Sequence, residues 1–197
     1  MLLAIDSATA ACSAALLDGL DIVDERHEVV GRGHAERLLP MIEELLAGRR
    51  PDTILVDCGP GSFTGVRVGL AAAHGLAIGW NVPLLGYSSM AAIAAATGAD
   101  AVALHGGHGQ LFVQGFTHDP LRAADPLQSL LPQDAAAAIR AGRVAGSGAG
   151  ALVSARGFGD ALDALPRAAD ARLLPEALRS LSARPIYGRA PDAKPMA

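Results

Sequence analysis

The stretch of sequence that decides the fold is the glycine-rich segment Gly59-Pro60-Gly61-Ser62-Phe63-Thr64-Gly65. An apolar run at residues 53–57 predicts a short strand before it, and residues from about 64 to 80 predict a long helix after it. Glycines let the backbone turn sharply between these two elements, and Ser62 or Thr64 can cap the first free amides of the helix. The segment therefore predicts a strand–turn–helix unit of the kind that α/β domains contain.

The residues alone leave two interpretations of this turn open. A glycine-rich loop leading into a helix N-terminus can bind a phosphate or a nucleotide, and the candidate contacts are then Asp6, Ser7, Gly61 and Ser62. However, no lysine follows the second glycine, as a phosphate-binding P-loop requires. The other interpretation is a tight structural turn that holds no ligand.

The predicted elements on both sides of this unit alternate in type. The first part of the chain predicts strands at about residues 2–5, 12–17, 22–30, 53–57 and 84–85, and helices at 34–47, 64–80 and 89–97. The second part predicts strands at 101–104 and 111–116, helices near 134–141 and 174–181, and a glycine-rich turn at 146–150. The opening order of strand, strand, strand, helix, strand, helix is that of the ribonuclease-H-like unit shared by actin and sugar kinases.

This order predicts an α/β fold of the actin-like ATPase (ASKHA, ribonuclease-H-like) class with a reduced second lobe. Residues 1–99 are predicted to form a ribonuclease-H-like lobe with partner-binding helices, and residues 100–182 a smaller, degenerate second lobe. Residues 183–197 contain three prolines and are predicted to be an irregular tail. In actin-like ATPases an aspartate in the first hairpin turn organises metal and phosphate. Asp6 therefore keeps open an alternative function, an actin-fold ATPase or kinase with its own nucleotide site.

The helix after the glycine turn has an unusual composition. Past Arg67 it has no charged residue on any face, and glycine and alanine recur at steps of three and four. A helix that is apolar all round is covered on both sides, either inside its own domain or by a second subunit. We predict a subunit interface made by this helix and the preceding one, through His34, Leu38, Leu39, Ile42, Val66, Gly69, Leu70, Ala73, Leu76 and Ala77.

Composition narrows the class of protein. The chain has 197 residues, is 51% hydrophobic and has a net charge of −4, which disfavours an autonomous nucleic-acid binder because such a protein needs a basic face. The N-terminus has no basic segment before its apolar run, and the longest uncharged stretch, residues 68–99, is interrupted by glycine, histidine and proline. We expect a cytoplasmic protein with no membrane association.

No set of catalytic or metal-binding residues can be assembled from the sequence. His105 and His108 lie three residues apart in a glycine turn, but a stable site needs further ligands that are not nearby in sequence. Cys12 and Cys58 have no metal-ligand spacing and are expected to be buried, reduced thiols. We therefore expect no catalytic residues and no metal in this chain, which would not be an enzyme by itself.

Four segments of the sequence resemble the TsaB (YeaZ) family of tRNA threonylcarbamoyladenosine biosynthesis proteins, dimerisation subunit type 1. The glycine turn and the start of its helix, residues 59–70, are the longest and most specific of them. The others are residues 3–16, residues 34–40 and the closing segment 185–193. The resemblance covers nearly the whole chain.

The resemblance implies an accessory role in making N6-threonylcarbamoyladenosine (t6A) in tRNA. In this family the chain pairs with TsaD, which holds the metal and, helped by the ATPase TsaE, transfers threonylcarbamoyl from its adenylate to the adenosine 3′ of the anticodon. TsaB is a dimerisation and activation subunit that docks through its first two helices, here residues 34–47 and 64–80. The resemblance implies that this subunit needs no cofactor of its own. ATP or ADP is a candidate ligand at the interface of the complex. It reaches tRNA only through its partner, and a homodimer is the alternative assembly.

The sequence departs from the family at one place. Many relatives have an Asp-Ala-Arg run before the hairpin of the second lobe, where this chain has His105-Gly106-Gly107. The second lobe is also short and rich in glycine. Both changes disfavour the ATPase or kinase alternative, and a metallopeptidase based on His105 and His108 ranks lower still.

Overall fold

Two β-sheets organise residues 1–188, the part of the chain that this computed structural model describes. The strands are β1 (Leu2–Asp6), β2 (Ala11–Asp18), β3 (Asp21–Val29), β4 (Thr53–Asp57), β5 (Leu84–Tyr87), β6 (Ala101–His105), β7 (Leu111–Thr117), β8 (Arg122–Ala123), β9 (Gln128–Leu130), β10 (Arg143–Ala145) and β11 (Asp160–Leu162). The α-helices are α1 (His34–Leu46), α2 (Phe63–Trp80), α3 (Ser89–Thr97), α4 (Pro132–Ala138), α5 (Ala149–Arg156) and α6 (Glu176–Arg179). Short 3-10 helices lie at Gly107–Gly109 and Ala168–Leu173.

The first sheet has the strand order β3-β2-β1-β4-β5. Strands β1, β2 and β3 pair antiparallel, whereas β4 pairs parallel with both β1 and β5. Parallel strands need a crossover connection, and α1 and α2 supply it on either side of β4. The arrangement is the predicted ribonuclease-H-like one, and the fold class is confirmed.

The two faces of the first sheet cover different cores, as the alternation of a strand requires. In β1, Leu3 and Ile5 face α1 and α2 in one buried cluster, whereas Ala4 faces α3 and the second sheet in another. The second sheet runs β11-β10-β6-β7-β8, with β9 also pairing with β7. Val102 and Phe112 of this sheet share the cluster of Ala4. One buried cluster thus contains residues from both predicted lobes, 1–99 and 100–182. The boundary between these lobes stays a prediction.

The elements of the second half differ most from the sequence predictions. The glycine-rich turn predicted at 146–150 ends at Gly148, and α5, which was not predicted, begins at Ala149. The helix predicted at 174–181 is the single turn α6, and the one predicted at 134–141 is α4, which begins and ends earlier. Strands β8 to β11 have two or three residues each, too short for a periodic pattern. The last nine residues of the predicted tail, 189–197, lie outside the described part of the chain.

No helix in the described part of the chain combines the length and apolar character that crossing a bilayer requires.

Candidate functional site

The glycine turn brings α2 against the turn between β1 and β2. A Cβ atom on Gly61 would overlap the backbone carbonyl of Ala8, and one on Gly65 would overlap that of Ser7. Ser7 Oγ donates a hydrogen bond of 2.9 Å to the Gly65 carbonyl and closes the contact. These glycines are therefore required by close backbone approach, and they fix the N-terminal end of α2 on β1.

Three amide groups of this turn donate hydrogen bonds inside the protein. The N–H of Gly59 donates to Asp57 Oδ1 (3.0 Å), that of Ser62 to the Ala8 carbonyl (2.6 Å) and that of Gly65 to Ser62 Oγ (3.3 Å). Ser62 is thus the N-cap of α2, one of the two caps predicted. Since an anion cradle needs free N–H groups, this arrangement favours the structural interpretation of the turn.

Two buried carboxyl groups lie under the turn. Asp6 is 0% and Asp57 2% exposed. Asp57 Oδ1 accepts from two amides, but Asp57 Oδ2 has no hydrogen-bond partner within the described chain. Asp6 Oδ1 accepts from the Ala8 amide, and the Tyr87 hydroxyl lies 3.4 Å from Asp6 Oδ2. Burial raises the pKa of Asp6 to about 7, and burial and the nearby charge of Asp6 raise the pKa of Asp57 well above its ordinary value.

Because the pKa of both carboxyl groups is raised, we expect the free energy of unfolding to fall as the pH rises. Between the ordinary carboxyl pKa of 3.8 and the value of about 7 for Asp6, the unfolded chain releases a proton that the folded chain retains. The free energy of unfolding should then decrease across that window, by on the order of 4 kcal/mol for one such group. Thermal unfolding of the native protein between pH 4 and pH 8, followed by circular dichroism, measures the change.

Asp57→Asn tests how much Asp57 contributes to this pH dependence of stability. Its amide keeps the acceptor for Gly59 and Ser89 but cannot ionise, so we expect a smaller loss of stability between the two pH values. Asp18→Asn, at an exposed position, is the matched control and should keep the wild-type dependence. An equal pH dependence in all three proteins would contradict a proton retained on Asp57.

A cleft of about 830 Å³ separates the glycine turn from the β6–β7 turn. Gly61 and Ser62 line one side, His105 and Gly107 the other, and Tyr187 the mouth. No Lys, Arg, Asp or Glu of the described residues lines it. Of the four predicted nucleotide contacts, Gly61 and Ser62 line the cleft, whereas Asp6 and Ser7 are buried and do not line it. Among residues 1–188 no cluster of three or more His, Cys, Asp or Glu side chains could hold a metal ion.

Helix α2 has one face in the protein's own core and one face open. The predicted interface stays a prediction, but eight of its ten members are buried in this chain, namely His34, Leu38, Ile42, Val66, Gly69, Leu70, Ala73 and Ala77. His34 Nε2, for example, lies 3.2 Å from the Ala11 carbonyl, and Leu70 packs in the core under the sheet. Of the set, Leu39 is 50% exposed and Leu76 is half-buried. The sheet needs an apolar cover, and this face of α2 supplies it.

The open side of α2, which we call the outer face, consists of Arg67, Ala71, His74, Gly75 and Ile78. Its small side chains leave the helix backbone accessible, and its one large aliphatic side chain, Ile78, is 80% exposed. At its C-terminal end the outer face continues into a groove of about 840 Å³, lined by His74, Ile78, Leu85, Leu181 and Arg184 among others. An exposed apolar helix face beside a groove is typical of a protein–protein binding surface.

The sequence contained a signal for this face. Residues four, seven, eight and eleven positions after Arg67 are Ala71, His74, Gly75 and Ile78, and positions three and four apart share a helix face. Because a charged side chain on an apolar helix normally points to solvent, Arg67 marks the outer face. The composition of α2 past Arg67 does not distinguish one face from another, so composition alone does not reveal these residues.

Comparison with known proteins decides the family. YeaZ from Pseudomonas aeruginosa superimposes with a TM-score of 0.79 at 32% sequence identity, covering 94% of this chain and 98% of that one. An uncharacterized protein of Mycobacterium tuberculosis (strain H37Rv) is 33% identical over 99% of this chain and 94% of its own length. The chain belongs to the TsaB (YeaZ) family. The resemblance inferred from the sequence is confirmed.

Two further matches are partial. TsaB of Escherichia coli is 44% identical over 101 residues, which cover 47% of this TsaB-family chain and 42% of the relative. The match thus spans less than half the length of that curated relative. The family model described as "TsaD: tRNA N6-adenosine threonylcarbamoyltransferase" matches residues 26–122, the segment that contains α1, α2 and the glycine turn.

Proposed function

We propose that this chain is a non-catalytic dimerisation and activation subunit in the synthesis of t6A in tRNA. In this role it binds TsaD and supports the transfer of threonylcarbamoyl from its adenylate to the adenosine 3′ of the anticodon. The relatives whose names include tRNA threonylcarbamoyladenosine biosynthesis support the pathway. The single structural observation that carries the binding role is the outer face of α2.

The physical case for a partner on this face rests on its composition. Apart from Arg67 and His74 it offers water only small or aliphatic side chains, and Ile78 is 80% exposed. Burying apolar surface is favourable by roughly 25 cal/mol per Å². Gly75 has no neighbouring atom within 4 Å of where a Cβ would lie, so a partner helix can approach the backbone closely there. Helix α1 packs beside α2 and adds the exposed Leu39.

The alternative ATPase or kinase function finds less support. Triphosphates are held by cationic side chains, metal ions and free amides, but no Lys or Arg of the described residues lines the cleft. Asp6, the acid expected to organise a metal, is buried together with Asp57, and both accept hydrogen bonds from amides of their own chain. The geometry therefore favours binding of a partner over hydrolysis of a nucleotide.

Reconstitution tests the proposal directly. Purified TsaD and TsaE of the same organism, with tRNA, ATP, threonine and the enzyme that makes the adenylate, should form t6A only when this chain is added. Nucleoside analysis of the tRNA by mass spectrometry measures the product. Equal t6A with and without the chain would contradict an activating role. Calorimetry of ATP with the isolated chain is the control, because a stoichiometric binding signal would favour the ATPase alternative.

A further inference from the structure

Three side chains form an exposed cluster where the outer face of α2 meets the cleft. Phe63 and Tyr187 are 56% and 49% exposed, and their ring centroids are 6.0 Å apart at an interplanar angle of 30°. The guanidinium carbon of Arg67 lies 3.5 Å from the centroid of the Phe63 ring. Arg67 Nη2 also donates a hydrogen bond of 3.2 Å to the Tyr187 hydroxyl. The three groups thus hold each other in place at the surface.

This cluster differs from the other cation–aromatic pair of the protein. Arg156 lies 4.5 Å from the Phe158 ring centroid, and its guanidinium donates to the carbonyls of Phe158 and Ile139. That pair is used to hold its own chain together. Arg67, in contrast, makes no ion pair within residues 1–188, and its one described side-chain hydrogen bond goes to a neutral hydroxyl.

The geometry suits recognition of a carboxylate. A guanidinium presents N–H donors in a planar fork that matches both oxygens of a carboxylate. Stacking on Phe63 and the bond to Tyr187 restrict the rotamers of Arg67, so less entropy is lost when a partner binds. Arginine and tyrosine are also the residue types that contribute most to binding energy in protein interfaces. Arg67 is the one permanently charged side chain of the outer face. It can therefore fix the position of a partner on a surface that otherwise has no permanent charge.

We propose that Phe63, Arg67 and Tyr187 form an anchor that binds an acidic side chain of the partner protein docked on α2. The proposal rests on the proposed function, in which that partner is TsaD, and deepens it by naming the charged contact that determines the register. A protein carboxylate is favoured over a nucleic-acid phosphate because the chain has a net charge of −4, and a phosphate backbone is bound by several cations together.

Calorimetric titration of the full-length chain into cognate TsaD tests the anchor. Arg67→Glu should weaken binding on the order of 100-fold, as loss of one member of an interfacial charge pair does. Arg67→Lys should lie between the wild type and Arg67→Glu, because lysine keeps the charge but not the planar fork. Arg122→Glu makes the same change of charge at an exposed position on β8 and should bind like the wild type. Raising the salt concentration should weaken the wild type more than Arg67→Glu.

The outcomes separate the anchor from the proposed function. If the wild type binds TsaD and Arg67→Glu binds equally well, the anchor is wrong and the proposed function stands. If the wild type itself does not bind TsaD, the proposed function fails and the anchor fails with it. If Arg67→Glu keeps TsaD binding but loses tRNA in a filter-binding assay of the complex, the group recognised is a phosphate and the protein carboxylate is excluded. The Arg67 side chain is exposed, so circular dichroism should show all variants folded.

Discussion

Gly65→Leu should lower the free energy of unfolding by about 3 kcal/mol or more, a large part of the stability of a domain of this size. The new side chain would have to occupy the space of the Ser7 backbone carbonyl, and neither β1 nor the N-terminal end of α2 can move without breaking the contact between them. The Ser7 Oγ bond to the Gly65 carbonyl would be lost as well. Urea unfolding followed by circular dichroism measures the effect.

A second glycine of the same helix provides the control. Gly75 lies on the outer face, where a Cβ would meet nothing within 4 Å. Gly75→Ala should therefore stabilise the isolated chain by roughly 0.5–1 kcal/mol, because alanine loses less backbone entropy in a helix. If Gly65→Leu were as stable as Gly75→Ala, the turn would not be held by close backbone approach.

Ile78→Glu should abolish the interaction with TsaD while leaving the fold intact. The side chain is 80% exposed, so its replacement should change the stability by no more than about 0.5 kcal/mol. In a complex, however, a charge within an apolar helix contact would be desolvated, and a loss of about 2 kcal/mol or more corresponds to at least about 30-fold weaker binding. Co-purification with tagged TsaD and the yield of t6A in reconstitution measure the two consequences.

Leu20→Glu is the matched control for this variant. Leu20 is a similar aliphatic residue, 70% exposed, in the turn between β2 and β3, away from α2. It should retain both TsaD binding and t6A synthesis. Substitution of Gly69 would not be informative, because a Cβ there approaches Ser7 Oγ and the variant would be damaged in its core. Normal t6A synthesis by Ile78→Glu would exclude the outer face as the binding surface.

The fold and the glycine motif could be predicted from local pattern. Short apolar runs located β1, β2 and β4, and the position of α2 after the glycine turn was correct to within one residue. The absence of a lysine already disfavoured phosphate binding, and the structure adds that Gly59, Ser62 and Gly65 use their amides internally. The short strands β8 to β11 depend on pairing with distant residues, and no local period encodes such pairing.

The two acids under the turn show a second limit of the sequence. Asp6 ends β1 and Asp57 ends β4, far apart in the chain. The parallel pairing of these strands, with Leu2 to Ile5 opposite Thr53 to Val56, brings their carboxyl ends to one edge of the sheet. Burial by α2 and Tyr87 then raises the pKa of both groups. The sequence indicated a ligand site there, whereas the packing encloses the carboxyls away from the cleft.

By itself, the sequence determined the family, the order of the first six elements, and the absence of charged residues from α2 past Arg67. These follow from local composition, because periodicity, glycine and charge act over a few residues. Only the tertiary structure decided which side of α2 is already covered. The helix carries apolar residues on every face past Arg67, so the choice depends on how α2 packs against β4 and α1. That packing buries Leu70 and Ala73 and leaves Ile78 exposed.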